Sequence, residues 1–390
     1  MADNKDKKVL NVPALRFPEF TDEWKRIKVS DLLDFYSTNS LSWEQLEYEP
    51  NEPYNLHYGL IHVGLPTLID LTKDKLPSIK NGNVPKKYEL CKEGDVAFAD
   101  ASEDTNEVAK VVEFYNLGGK KVVCGLHTIH GRNNNGQTAK GFLGYCFSST
   151  VFHNQIRRIA QGTKIYSINT RNFSEVFVGL PRRREQQKIA TLLRLIDERI
   201  ATQNKIIEKL ETLIKGIIET VISSQKPNTL IKNCLECNSS TLQESQVAET
   251  GTFPVYGATG ISGYTEAPDV NGESILIIKD GSGVGTVKYV TGEYSYIGTL
   301  NSLTAKDGYC LKFIYFALQK FCFEPYKTGM AIPHIYFKDY GKAKIFCPTI
   351  KEQFAIAKRI SMVEDKVSVE KRIFFHYQAQ KSYLLSQMLI

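Results

Sequence analysis

The stretch RRREQQKIATLLRLIDERIATQNKIIEKLETLIKGIIETV, Arg182 to Val221, decides the fold. Stepping along it by four and three in turn gives Ile189, Leu193, Ile196, Ile200, Gln203, Ile207, Leu210, Ile214, Ile217 and Val221, nine of the ten apolar. That spacing is the seam of a long helix that packs on another helix. The partner lies in the same chain. A shift of 167 residues gives Ile356, Ile360, Val363, Val367, Glu370, Phe374, Tyr377, Lys381, Leu384 and Met388, eight of the ten apolar. The polar break at Gln203 recurs at Glu370. Two long helices at a fixed separation imply an internal duplication.

The repeat extends upstream at the same offset. Gly162 meets Gly329, Ile165 meets Ile332, Ile168 meets Ile335, Arg171 meets Lys338, Phe173 meets Tyr340, Val178 meets Ile345 and Pro181 meets Pro348. Glu185-Gln186 then meets Glu352-Gln353, and Ile189-Ala190 meets Ile356-Ala357. Further back the register slips: Gly94-Asp95 resembles Gly272-Glu273, at an offset of 178. Domain ends and helices match while domain bodies differ. That is the pattern of two readers of different targets on one scaffold.

The expected division follows. Residues 1–14 form a polar tail that should be poorly ordered. Residues 15–180 and 224–347 form two domains, and residues 181–223 and 348–390 two spacer helices. In the first domain Leu60–Val63, Leu68–Leu71, Val96–Ala99, Val108–Tyr115 and Lys120–Cys124 read as strands, Gly131–Gly136 as a polar loop, and Gly141–Arg158 as one helix. In the second, Ser274–Ile278 and Thr286–Tyr289 read as strands around a turn at Asp280–Gly285, and Tyr309–Phe323 as a helix. Pro181 and Pro348 should start the long helices, since proline suits a helix N-terminus. Arg182-Arg183-Arg184 oppose the helix dipole there. They form either a solvated face or a contact with phosphate or an acidic partner surface.

Composition narrows the class. The 390 residues are 42% apolar and 24% charged, which suits two ordinary domains with real cores. A net charge of +6 permits a polyanionic partner without requiring one. No apolar run is long enough to span a membrane, and no secretion signal precedes the eight cysteines, so reduced thiols in a cytoplasm are expected. Cys234 and Cys237 form a lone CxxC, and Cys124, His127 and His130 sit at ligand-like spacing. Buried thiols and core histidines are the simpler reading, and no resident metal is expected.

Enzyme motifs are missing. No GxxxxGK[ST] loop is present. Gly281-Ser282-Gly283-Val284-Gly285 reads as a hairpin between strands, not a dinucleotide site. Glu52-Pro53-Tyr54 falls short of the Asn/Asp-Pro-Pro-aromatic motif of an adenine methyltransferase. Pro268-Asp269 with Glu273 lacks the Glu-x-Lys partner of a nuclease.

The order of variable domain and Pro–Glu–Gln helix, twice over, resembles the specificity (S) subunit of type I restriction-modification enzymes. Leu15-Arg16-Phe17-Pro18 with Trp24 is similar to that family's usual start. Leu180-Pro181 with Glu185-Gln186-Gln187-Lys188-Ile189-Ala190 resembles the head of its first conserved helix. Phe253-Pro254-Val255-Tyr256-Gly257 with Gly260-Ile261 and Gly263-Tyr264 resembles the opening of many of its target recognition domains. The resemblance implies an α/β fold: two target recognition domains of α+β type with mixed or antiparallel sheets. Two long antiparallel coiled-coil helices separate them, with a pseudo-twofold repeat. It implies a non-catalytic subunit whose domains each read one half of a bipartite site on double-stranded DNA. Its helices would set the gap and dock two methyltransferase (M) subunits, which restriction (R) subunits then join. S-adenosylmethionine, ATP and Mg would serve those partners, not this chain. Lys381, where the first helix has Ile214, departs from a regular seam. The alternative is a structural adaptor or stand-alone DNA-binding protein on a coiled-coil scaffold.

A helix of about 40 residues spans roughly 60 Å, enough to place two readers on successive turns of one DNA face, where the repeat is about 34–36 Å. If the helices pair antiparallel about a twofold, Gln203 and Glu370 fall within about one helical turn, roughly 5.4 Å, of each other and help fix register. DNA contacts come from basic, polar and aromatic loop residues. The candidates are Lys110, Arg132, Asn133, Lys140, Lys164 and Tyr166 in the first domain, and Lys279, Ser282, Lys288, Lys327, His334 and Tyr336 in the second.

Overall fold

A computed structural model describes residues 11–390. Most of the expected tail lies outside the described residues. Its last part is held: Asn11 exchanges a backbone bond and a side-chain bond with Trp24, at 2.9 and 2.7 Å.

The chain forms two compact units, and each contains part of both long helices. The first runs to Gln203 and includes Ile373–Ile390; the second is Asn204–Arg372. The long helices are Arg183–Ile218, continued by a π-helical turn at Glu219–Ser223, and Ile350–Gln387. All twenty seam positions are buried or half-buried. In the first unit, Gly179, just ahead of the first helix, bonds Ile390 at the end of the second, and Asp197 pairs with Lys381 at 2.6 Å. In the second unit, Glu211 pairs with Lys371 at 2.7 Å, while Ile218 and Ile222 share a core with Ala357 and Ile360. In each unit the head of one helix therefore lies beside the tail of the other, so they run antiparallel.

The first unit has two main sheets. A five-stranded sheet runs in the order Asp34–Tyr36, Thr128–Arg132, Val96–Ala99, Val111–Asn116, Leu68–Asp70, and its last pair is parallel. Val96-Ala97-Phe98-Ala99 is buried throughout because each face covers a core. Val96 and Phe98 face the aromatic cluster of Phe142, Tyr145, Phe147, Phe152 and Phe173, where Ile189, Leu193, Leu384 and Met388 also pack. Ala97 and Ala99 face a smaller core with Leu56, Ile69 and Cys124. Beyond it a four-stranded sheet joins Val122–Cys124, Tyr54–Leu56, Ser78–Ile79 and Leu46–Glu47.

The second unit is built on one six-stranded sheet, in the order Leu235–Ser239, Leu300–Ala305, Val270–Ile278, Val287–Tyr296, Phe253–Gly257, Gly260–Thr265. The helix Leu311–Gln319 covers it, burying Leu311, Phe313, Ile314 and Phe316. The body of each unit thus carries a different sheet, while the helix heads match.

Four local expectations are corrected. Leu60–Val63 is no strand but part of a helix, Tyr58–His62, started by His57, whose Nδ1 accepts from the Gly59 N–H at 3.2 Å. The single helix at Gly141–Arg158 is two, Phe142–Cys146 and Thr150–Ile159, because Ser149 caps the second by accepting from the Phe152 N–H. Gly131 and Arg132 belong to a buried strand rather than a loop. Pro181 and Pro348 lie two residues ahead of their helices, where their carbonyls accept bonds from Gln186 and Gln353 at 2.9 Å each.

Candidate nucleic-acid interface

Each unit carries one finger built in the same way. In the first, Gln161 and Ser167 exchange backbone bonds at 2.9 and 2.8 Å; in the second, Thr328 and His334 do so at 2.9 and 2.8 Å. Gly162 and Gly329 turn the chain at φ +134° and +88°. A Cβ there would lie 1.9 Å from the Ile165 carbonyl oxygen or 2.4 Å from that of Ile332, so only glycine closes the loop. The base is anchored alike. The buried Ile168 donates its N–H to the Asp100 carbonyl at 2.9 Å, and the buried Ile335 to Lys279 at 3.0 Å. Both acceptors directly follow the sheet strands Val96–Ala99 and Val270–Ile278. At each tip an isoleucine points outward: Ile165 is 62% and Ile332 66% exposed.

Polar groups crowd these fingers. In the second unit the turn after Lys279 touches the finger, since Gly281 donates to the Pro333 carbonyl at 2.9 Å. His334 packs edge-on to Tyr336 at 5.1 Å, and the Lys338 ammonium lies 5.1 Å from the Tyr336 ring. In the first unit Tyr166–Ser167 pairs with Ala101–Ser102, and His127 Nδ1 lies 3.1 Å from Asp100. Burial pushes the Asp100 carboxyl above its ordinary value, and His127 pulls it part of the way back. Exposed apolar tips flanked by amide, hydroxyl, imidazole and ammonium groups can stack on or wedge against bases while the flanks bond phosphate and base edges.

The helix heads fix these bodies in place. Gln186, 1% exposed, donates to the Pro181 carbonyl and accepts from the Ala139 N–H at 2.7 Å. Gln353, 2% exposed, donates to Pro348 and accepts from the Cys310 N–H at 3.0 Å. The glutamate beside each differs in use. Glu185 is buried against Arg16 at 2.6 and 2.8 Å, whereas Glu352 is exposed and accepts from the Thr349 N–H and hydroxyl.

Residues 115–212 and 233–374, well over half the chain, match the model of the type I restriction modification DNA specificity domain. The chain belongs to that family. The fold is similar to the crystal structure of a type-I restriction-modification system S subunit from M. genitalium, with TM-score 0.66 and 18% identity over 97% of this chain and 99% of that one. It is similar as well to a chain from a structural study of complex assembly and conformational transition in the type I R-M system. There the TM-score is 0.56 with 15% identity, over 93% of this chain and 96% of that one. No curated protein sequence matches this chain.

Within the specificity domains the candidate DNA-contacting residues divide. Lys164, Tyr166 and His334 lie on the fingers, Tyr336 just beyond the second, and Lys279 and Ser282 on the adjoining turn. Lys279 is held by Asp280, and Lys327, just before the second finger, by Glu324. Lys288 stands exposed on the sheet over the Tyr256 ring at 4.4 Å. Lys110 is tied to Glu107 and the His62 carbonyl, and Lys140 to Glu93. Asn133 bonds the Leu32 carbonyl and the Gln137 N–H. Arg132 is a correction. It is 5% exposed, and Asp95 holds it at 2.9 Å through both Nε and Nη2, with Glu89 on Nη1. Its guanidinium is taken up by these two acids inside the domain rather than presented on a loop. Arg182 and Arg183 are likewise engaged at home, by Asp22 and the Gly136 carbonyl.

The tips themselves, Ile165 and Ile332 with Met330, were not among the candidates. The repeat already aligned Ile165 with Ile332. An isoleucine in sequence reads as core, and only the structure shows the aligned pair to be exposed. Among the described residues no helix is long and apolar enough to cross a membrane.

Proposed function

We propose that the chain reads a split DNA site without catalysing a reaction, each specificity domain taking one half through its finger and neighbouring turn. The observation that carries this reading is the pair of fingers, closed by Gly162 and Gly329, anchored identically and offering an exposed isoleucine each. Bodies that differ around matching fingers suit two half-sites of different sequence. The long helices set the distance between the halves, and two modest readers so joined gain affinity through effective concentration.

The helices also dock partners. Leu195, Leu213, Phe354, Met362, Phe375 and Tyr383 are large, apolar and exposed on them. Such residues away from the seam support binding of methyltransferase subunits. Those partners would supply S-adenosylmethionine chemistry, and restriction subunits ATP and Mg. A gel shift with duplex DNA tests this. The chain with its methyltransferase subunit binds a defined bipartite site far more tightly than random duplex. Equal affinity for both would overturn DNA reading and leave an adaptor role.

A further inference from the structure

Cys91, Cys124 and His130 meet in the interior of the first unit, all buried, with their ligand atoms within 4.8 Å of one another. Cys124 ends a strand of the four-stranded sheet, and His130 sits mid-strand in the five-stranded sheet. Cys91 is tied to the first of these by its N–H to the Val122 carbonyl at 2.8 Å. The cluster therefore stands where the two sheets meet.

The imidazole is set up as a ligand. Its Nε2 lies 2.7 Å from the Asp95 carboxylate, which Arg132 and the Lys92 N–H hold in turn. Its Nδ1 is buried and has no hydrogen-bond partner. With the Nε2 proton donated to Asp95, the Nδ1 lone pair is free for a metal, the arrangement usual in metal-bound histidines. The sulfurs are 3.5 Å apart. That is far beyond a disulfide bond of about 2.05 Å, and close to the edge of about 3.7 Å expected between two thiolates on one tetrahedral zinc with bonds of about 2.3 Å.

We propose that Cys91, Cys124 and His130 bind a single thiophilic cation, of which zinc is the type, that clips the two sheets of the first domain together. Two soft sulfurs and one imidazole select Zn(II) over Mg(II) or Ca(II). Three protein ligands leave one place for a small fourth ligand. The second domain, built on one sheet, has no counterpart among the described residues, and its buried pair Cys234 and Cys347, 3.8 Å apart, lacks a histidine.

The test is the metal content of the full chain purified under reducing conditions from zinc-supplemented culture. About one zinc per chain is expected, retained in Cys322→Ser and Cys234→Ser and lost in Cys124→Ser. Cobalt exchanged into the wild type should give a thiolate charge-transfer band absent from Cys91→Ser. Substoichiometric metal in soluble wild-type protein would overturn the proposal, whether or not the variants fold. So would zinc that follows Cys234, or an intact mass two hydrogens short that maps to a Cys91–Cys124 disulfide.

Discussion

At the scale of single residues, the buried carboxylate of Glu113 ties pH to stability. Its oxygens accept the N–H groups of Gly141 and Gly144 at 2.5 and 2.8 Å, at the head of the helix Phe142–Cys146. Complete burial raises its pKa from 4.5 to about 7 despite those bonds. The native state thus binds a proton that the unfolded chain has released between those values. The stabilisation is complete below about 4.5 and is lost as pH rises through about 7. It is worth on the order of 3 kcal/mol across the window. Thermal melts should show the wild type losing more stability between pH 5.5 and 8 than Glu113→Gln does; equal losses would contradict this origin. The helix-head glutamines give a second prediction. Gln186→Ala orphans the buried Ala139 N–H, and Gln353→Ala orphans that of Cys310. Each should cost about 1–3 kcal/mol in denaturant unfolding. Arg132 shows the limit of reading residues singly. Its position among asparagines suggested a polar loop, and the acids that bury it, Asp95 and Glu89, are some forty positions away in sequence.

At the scale of elements, what could be read in advance was what is periodic or repeated. The seam was legible because a long helix repeats its pattern over ten positions, and the finger glycines because both copies keep them. Short elements were not. Helices of about five residues, such as Tyr58–His62, carry too few turns for a periodic signal, and a side-chain cap decides them. Lys381 looked like a flaw in the seam. It pairs with Asp197, which also accepts the Tyr145 hydroxyl at 2.8 Å, so the first unit closes the seam with a polar cluster. The second unit has its own version, in which Lys312 pairs with Glu364 at 2.9 Å among Tyr289, Tyr315 and Phe316. The fingers make the element-scale prediction. Gly329→Val places a side chain against backbone and should weaken specific DNA binding at least tenfold, while melting temperature falls little because the loop is exposed. Ile332→Asp should do the same without strain. A fluorescence-anisotropy titration checks both, and unchanged affinity would remove the fingers from the DNA interface.

At the scale of the whole molecule, the account is one of division of labour. On the proposed reading, two domains with unlike sheets read, and two matched helices space and assemble. The claim predicts independence of the halves, which the methylome of cells carrying this chain with its methyltransferase partner measures directly. The wild-type chain should direct methylation to a motif of two short specific halves around a gap of unspecified sequence. Exchanging residues 230–345 for those of another family member should change one half and leave the other half and the gap as they were. A continuous motif, or a change in both halves from that single exchange, would contradict the account.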